Sequence, residues 1–295
     1  MSTSSPSAQR VLITGAARGI GAALAQRLAA DGARLALVGL EEDRLREVAR
    51  RCGEGTFAAR CDVSSFEEVS TAVDDAARAL GGLDAVVANA GIATGGPLRL
   101  QDRRTWERVI EINLLGVMYT DRAALPHLQA SRGYLLNISS SAAAFRGPGL
   151  SAYCAAKAGV EALSDCLRIE MRPHGVEVGV AHFLFLDTDM VRDADRELAG
   201  GERRSRLPGP LARTYPLAPA VEELAAAIVE RRRRVAYPRW FLRALPFRQA
   251  FASRLVERQA AREVLEAERE YAQRVADQGA AAAAATRRTR ELAGL

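Results

Sequence analysis

Lysine is all but missing from this chain. Of its 41 basic residues one, Lys157, is lysine, and the other 40 are arginine. Aromatic residues are scarce too, at 5%, and the arginines are dispersed, so no basic stripe interleaved with aromatics points to nucleic acid. A net charge of +5 and a pI near 9.3 are then weak signs of an acidic partner. The four cysteines (Cys52, Cys61, Cys154, Cys166) form no Cys-x-x-Cys pair, and histidine occurs only three times. That spacing proposes neither a metal site nor a disulfide framework, and reduced thiols suit a cytoplasm. No apolar run approaches the roughly 18 residues that span a bilayer. The opening "MSTSSPSAQR" lacks the apolar centre of a signal peptide. The absences together lead us to expect a soluble cytoplasmic protein.

What is present is rhythm. Short apolar runs ("RVLITG", "RLALVG", "GTFAARCDV", "LDAVVANAG", "GYLLNISS", "VEVGVAHFLF") alternate with helical stretches near residues 19–30, 41–51, 64–80, 102–128 and 151–172. Strands that are apolar throughout are buried on both faces, the mark of a parallel sheet. Strict strand–helix alternation then predicts an α/β fold, a doubly wound parallel sheet of Rossmann type with helices on both faces. One catalytic domain is expected over 1–238, with the Gly- and Pro-rich segment 188–220 as a substrate loop. Residues 239–295 read as a helical extension, and its end, "QGAAAAAATRRTREL", as low-complexity chain without rigid structure. Arginine interleaved with aromatics in "PRWFLRALPFRQAF" would suit an anionic membrane surface. The mixed Glu/Arg helix that follows favours packing over the substrate cleft or at a subunit interface.

"TGAARGIG" (Thr14 to Gly21) falls between the first strand and the first helix. Gly15, Gly19 and Gly21 let the backbone turn tightly and approach a pyrophosphate, while the helix N-terminus offers free N–H groups. Tyr153 and Lys157 are four apart on a predicted helix and share a face. A phenol of ordinary pKa near 10 is a poor base at neutral pH, and an adjacent ammonium should lower it. Lysine is compact and can pass on a proton; arginine cannot. That is a reason for lysine to persist at this one position.

In order and spacing these segments, with "CDV" (61–63), "NAG" (89–91), "INLLG" (112–116), "NISS" (137–140) and "YCAAK" (153–157), make the chain resemble the short-chain dehydrogenase/reductase family over about residues 9–190. The resemblance implies a carbonyl–alcohol oxidoreductase with a nicotinamide cofactor. It implies Asn113, Ser140, Tyr153 and Lys157 as catalytic residues, with Tyr153 the general acid/base, Ser140 on the substrate oxygen and Asn113 holding a relay water. Ser139 and Ser141 are the structural alternatives to Ser140. The implied cofactor set is Gly15, Arg18, Gly19, Ile20, Gly21, Asp62, Val63, Asn89, Gly91 and Thr188, together with Tyr153 and Lys157.

Two departures qualify this. Where NAD-preferring relatives carry Asp after the second strand, Gly39 and Leu40 stand here; with Arg18 nearby, NADP(H) is favoured over NAD(H), while Glu41 and Glu42 read as first-turn helix acids. Where the family has Pro-Gly after the sixth strand, Phe183 and Leu184 stand here, which should reshape the nicotinamide pocket. The pocket edges "IATGGP" and "SAAAF" are small and carry no charge, suiting a small hydrophobic ketone, aldehyde or secondary alcohol. His127, His174 and Cys154 read as structural. A homo-oligomer is expected. The other class of function is a non-catalytic dinucleotide-binding regulatory protein, which would tolerate loss of Ser, Tyr or Lys; here all are present.

Overall fold

Arg10–Thr14 forms the first strand, β1, and its side chains divide between two cores: Val11 and Ile13 enter one, Leu12 the other. The same division recurs along β2 (Arg34–Gly39) and β4 (Ala85–Ala88), with β3 (Phe57–Arg60) between them in sequence. β5 (Tyr134–Ile138), β6 (Glu177–Phe183) and β7 (Arg234–Tyr237) complete a parallel seven-stranded sheet of order β3-β2-β1-β4-β5-β6-β7. Residues 9–198 and 200–295 are described by this computed structural model.

Helices cover both faces. α1 (Gly19–Ala30), α2 (Glu42–Cys52) and α3 (Phe66–Leu80) follow the first three strands. α4 (Arg103–Ile110) and α5 (Gly116–Ser131) lie between β4 and β5, and α6 (Ser151–Met171) between β5 and β6. α7 (Asp189–Glu197), α8 (Gly200–Ser205) and α9 (Leu217–Glu230) precede β7. α1 and α9 bury Leu24, Leu28 and Leu224 in one core; α3 and α5 bury Val73, Leu80 and Leu128 in the other. Truncating such a side chain, Leu12→Ala for example, costs about 2–5 kcal/mol. The strand order reverses between β1 and β4, and ligands of such sheets lie at that switch point, beyond the carboxyl ends of the strands.

Two expectations are corrected and one is refined. The predicted helix over 102–128 runs from Arg103 to Ser131, through a π-helical turn, Glu111–Leu115, that joins α4 to α5. Its extra residue turns Asn113 inward, and such bulges favour functional positions. Segment 188–220 is largely helical rather than an open loop, because Asp193 of α7 is buried and ion-paired to Arg196 and Arg288. The Ala-rich end is ordered as well. After α10 (Phe241–Ala244) and α11 (Arg254–Gln278) come α12 (Ala280–Ala284) and α13 (Arg287–Ala293), and Ala283, Ala284 and Ala285 are buried. Composition foretells the cost of ordering such a chain; it does not reveal that small methyl groups can pack closely under Tyr271.

At the end of β6, where Phe183 and Leu184 stand in place of Pro-Gly, the strand runs on to Phe183, paired with Tyr237, and Leu184 N–H donates to Tyr237 O at 3.2 Å.

Candidate active site

The turn after β1 can be built only with glycine at two of its positions. A Cβ at Gly15, where φ is +64°, would lie 2.7 Å from Ala90 Cα; one at Gly21 would lie 2.5 Å from Gly15 O. Asn89, at the end of β4, pins the turn: its Nδ2 donates to Thr14 O (2.9 Å) and Gly15 O (3.2 Å), and its backbone N–H donates to Thr14 Oγ1 (2.9 Å). α1 begins with no side-chain cap, so its first N–H groups have no side-chain acceptor. A glycine cradle facing uncapped helix N–H groups fits a pyrophosphate. Ile20 packs against the core beneath this turn, and Thr188 lies across from Gly19, its Cγ2 3.9 Å from where a Cβ would stand.

Asp62 and Val63 follow β3. Asp62 Oδ1 accepts from Ser64 N–H (2.9 Å) and Ser64 Oγ (2.7 Å), and Val63 is buried against Gly116. Arg18 is no solvated loop arginine. It pairs with Glu41 and, at 3.5 Å, with Asp189. Burial, followed by the neighbouring Arg288 and Arg44, lowers its pKa to about 10. Glu41 is accordingly a partner of Arg18 just ahead of α2, not merely a first-turn helix acid.

The other end of the cleft is formed by β5 and α6. Ser139 and Ser140 are separated by the pleat. Ser139 Oγ donates to Lys157 O (2.8 Å) inside the core, whereas the Ser140 hydroxyl is a neighbour of the Tyr153 phenol and accepts from Ala142 N–H at 3.1 Å. Lys157, 4% exposed, donates from Nζ to Ile138 O at 2.9 Å and stands 5.8 Å from the centre of the Tyr153 ring. Burial lowers its pKa to about 8. Tyr153 runs against expectation. Burial pushes its phenol up, the Ser140 hydroxyl only opposes that, and the ammonium is held by a carbonyl instead.

Asn113, 0% exposed, donates from Nδ2 to Ile92 O and Val109 O, both at 2.9 Å. Its Oδ1 is buried without a partner. The space beside that oxygen exists because residue 91 is glycine: a Cβ there would lie 2.6 Å from Asn113 Oδ1 and 3.6 Å from Lys157 Nζ. Gly91 thus lies beside two catalytic candidates, one residue after Ala90, which packs on the phosphate turn.

Sequence reasoning missed His182 and Tyr271. Buried in β6, His182 sets Nδ1 3.3 Å from Ser140 O, directly behind the serine, and burial holds its imidazole below the usual pKa. A histidine inside an otherwise apolar strand was the available signal. Tyr271 of α11, fully buried, closes on Gly96 in the loop after β4; nothing local marks it.

A family model described as short chain dehydrogenase matches residues 9–199. The chain is 36% identical to a cis-4-hydroxycyclohexanecarboxylate dehydrogenase of Sinomonas cyclohexanicum, over 74% of this chain and 90% of that one. It is 37% identical to a (-)-trans-carveol dehydrogenase of Rhodococcus erythropolis, over 63% and 73%. Among solved structures, an alcohol dehydrogenase of Thermococcus sibiricus complexed with 5-hydroxy-NADP superposes with a TM-score of 0.66 at 29% identity, covering 78% of this chain and 94% of that one.

Proposed function

The chain belongs to the short-chain dehydrogenase family and is an NAD(P)-dependent oxidoreductase, and we propose that it interconverts a small hydrophobic ketone and its secondary alcohol, preferring NADP(H), with Tyr153 as general acid/base. The observation that carries this reading is Lys157, the chain's one lysine, buried with its Nζ 5.8 Å from the centre of the Tyr153 ring. Burying an ammonium is costly, and a site that retains one there is using it.

When bound, the nicotinamide supplies or accepts the hydride. Gly15, Gly19, Gly21 and Ile20 would hold the pyrophosphate on a turn that Asn89 pins, Thr188 would meet the nicotinamide amide, and Asp62 and Val63 would flank the adenine. Ser140 positions the substrate oxygen against Tyr153. In reduction the neutral phenol gives its proton to the carbonyl oxygen; in oxidation it must first lose that proton, so oxidation speeds up as pH rises. Lys157, poised near neutrality, replaces the proton, and the unpartnered Asn113 Oδ1 receives a water that reaches it.

Ring-bearing secondary alcohols in the names of the relatives support the substrate class, as do the uncharged loops around Ser140. We read the protein as cytoplasmic and self-associating: the exposed Ile169 on α6 and Leu265 on α11 support a homo-oligomer, and no described helix is long and apolar enough to cross a membrane. The test is a panel of alicyclic alcohols and ketones assayed with both cofactors. Turnover of ring alcohols, faster with NADP than with NAD, is expected; no turnover across the panel contradicts the substrate class, and faster turnover with NAD contradicts the cofactor preference.

A further inference from the structure

α12 and α13 fold back over the carboxyl ends of the strands and are anchored along their length. Ala284 O accepts from Gly95 N–H (2.7 Å), Glu197 Oε2 accepts from Arg287 N–H (2.7 Å), and Ala293 O accepts from Arg108 Nε (2.8 Å). Thr286 caps α13 by accepting from Thr289 N–H at 3.2 Å. Between this arm and the sheet lies a groove of about 630 Å³, walled by Leu40, Glu41 and Asp62 on one side and by Arg288 and Leu292 on the other. Its place beyond the ends of β2 and β3 is where this type of sheet receives the adenosine half of a dinucleotide.

Arg288 is built in without being used up. Its Nη1 lies 2.9 Å from Asp189 Oδ2 and 3.1 Å from Asp193 Oδ2, yet makes no aligned hydrogen bond to either. Asp189 is shared with Arg18, so two guanidinium groups converge on one carboxylate. The carboxylates that would repel an added anion there are paired: Glu41 with Arg18 and, at 3.6 Å, Arg44; Asp62 with Arg108 at 3.7 Å; and Glu291 with Arg287 at 3.1 Å. Gly39 and Leu40, which follow the phosphate turn in space, bring no charge.

We propose that Arg288 is a cofactor-selecting residue delivered by the C-terminal arm, and that from the wall of this groove it grips the 2′-phosphate of NADP(H), helped by Arg18, which shares Asp189 with it at the groove's edge. The assignment rests on the NADP reading above and adds its source: an extension outside the sheet domain. A phosphate dianion takes planar, bidentate N–H pairs from arginine, and it adds to the compensation that Glu41, Asp189 and Asp193 give the mutually repelling Arg18 and Arg288. Because the arm forms one wall, a phosphate-bearing cofactor also ties the arm down.

The full-length protein and its Arg288→Gln and Arg288→Lys variants should be titrated calorimetrically with NADPH and NADH. Wild type is expected to bind NADPH more tightly. Arg288→Gln should weaken NADPH by about 10- to 100-fold, the range for a hydrogen bond to a charged group, and NADH by less than about 2-fold; Arg288→Lys should fall between. Tryptic cleavage of the wild-type arm at Arg287 and Arg288 should be slowed by NADPH more than by NADH, a readout that survives if a variant does not fold. An NADPH preference unchanged in Arg288→Gln, an equal loss for both cofactors, or equal protection by both overturns the role of Arg288 alone. A wild-type preference for NADH overturns the NADP reading as well.

Discussion

The two ends of the cleft solve opposite electrostatic problems. Around Tyr153 the polar groups are few and deeply buried, and some are left short of partners: Asn113 Oδ1 has none, and the Lys157 ammonium has one carbonyl. Around Arg18 the charges are many, only partly buried and already paired, as Arg18–Glu41, Arg18–Asp189 and Arg288–Asp189 show. Shortage in low dielectric creates a group ready to move a proton. Pairing near solvent creates a site whose partners exchange cheaply when an anion arrives. Changes at the first end should therefore alter turnover with little effect on cofactor affinity, and changes at the second the reverse.

Tyr153→Phe removes the proton donor and keeps the ring. Turnover should drop by about 1,000-fold or more while the NADPH dissociation constant stays within about 2-fold, measured by stopped assay and fluorescence titration. Lys157→Arg preserves charge but not the ability to release a proton; a loss of about 100-fold is expected, and activity near wild type would break the comparison at its first end. Gly91→Ala places a methyl group against Asn113 Oδ1. It should cost about 10-fold in kcat, with a smaller change in KM, because the relay space is filled while the substrate site is not. At the second end Glu41→Gln frees Arg18 and should tighten NADPH several-fold, leaving kcat alone.

A separate effect, on stability rather than turnover, concerns Asp121 of α5, which is bonded to Asn137 of β5. Asn137 Nδ2 donates to its Oδ2 at 2.8 Å, its Oδ1 has no partner, and burial pushes its pKa up to about 8. A carboxyl held above its unfolded pKa of about 3.9 contributes most stability below that pH and loses it as pH rises through about 8. Asp121→Asn should accordingly melt above wild type by a margin that grows from pH 4 to pH 8, read by thermal denaturation. A constant margin contradicts the assignment.

The sheet and the Tyr153 end were largely legible in the sequence, because their signals are local: strand hydrophobicity, the glycines of one turn, and two side chains four apart on α6. The choice of Ser140 over Ser139 came from the resemblance, whose spacing it follows; the pleat sends Ser139 to Lys157 O. The Arg18 end was not legible. Its partners come from position 41, from α7 and from position 288, and no periodicity reports such distant pairing. Residues 279–295 misled for a related reason: alanine composition says little about burial, which depends on Tyr271 and Leu100 arriving from elsewhere. The phenol of Tyr153 misled because proximity of charge was weighed without the cost of burial.

The most direct measurement follows the hydride itself. NADPH deuterated at the transferring position should be incubated with a substituted cyclohexanone and the wild-type protein. Deuterium on the carbinol carbon of the product alcohol is the predicted result. Tight NADPH binding with no labelled alcohol from any ketone of the panel would contradict the account and leave a dinucleotide-binding regulatory protein in its place.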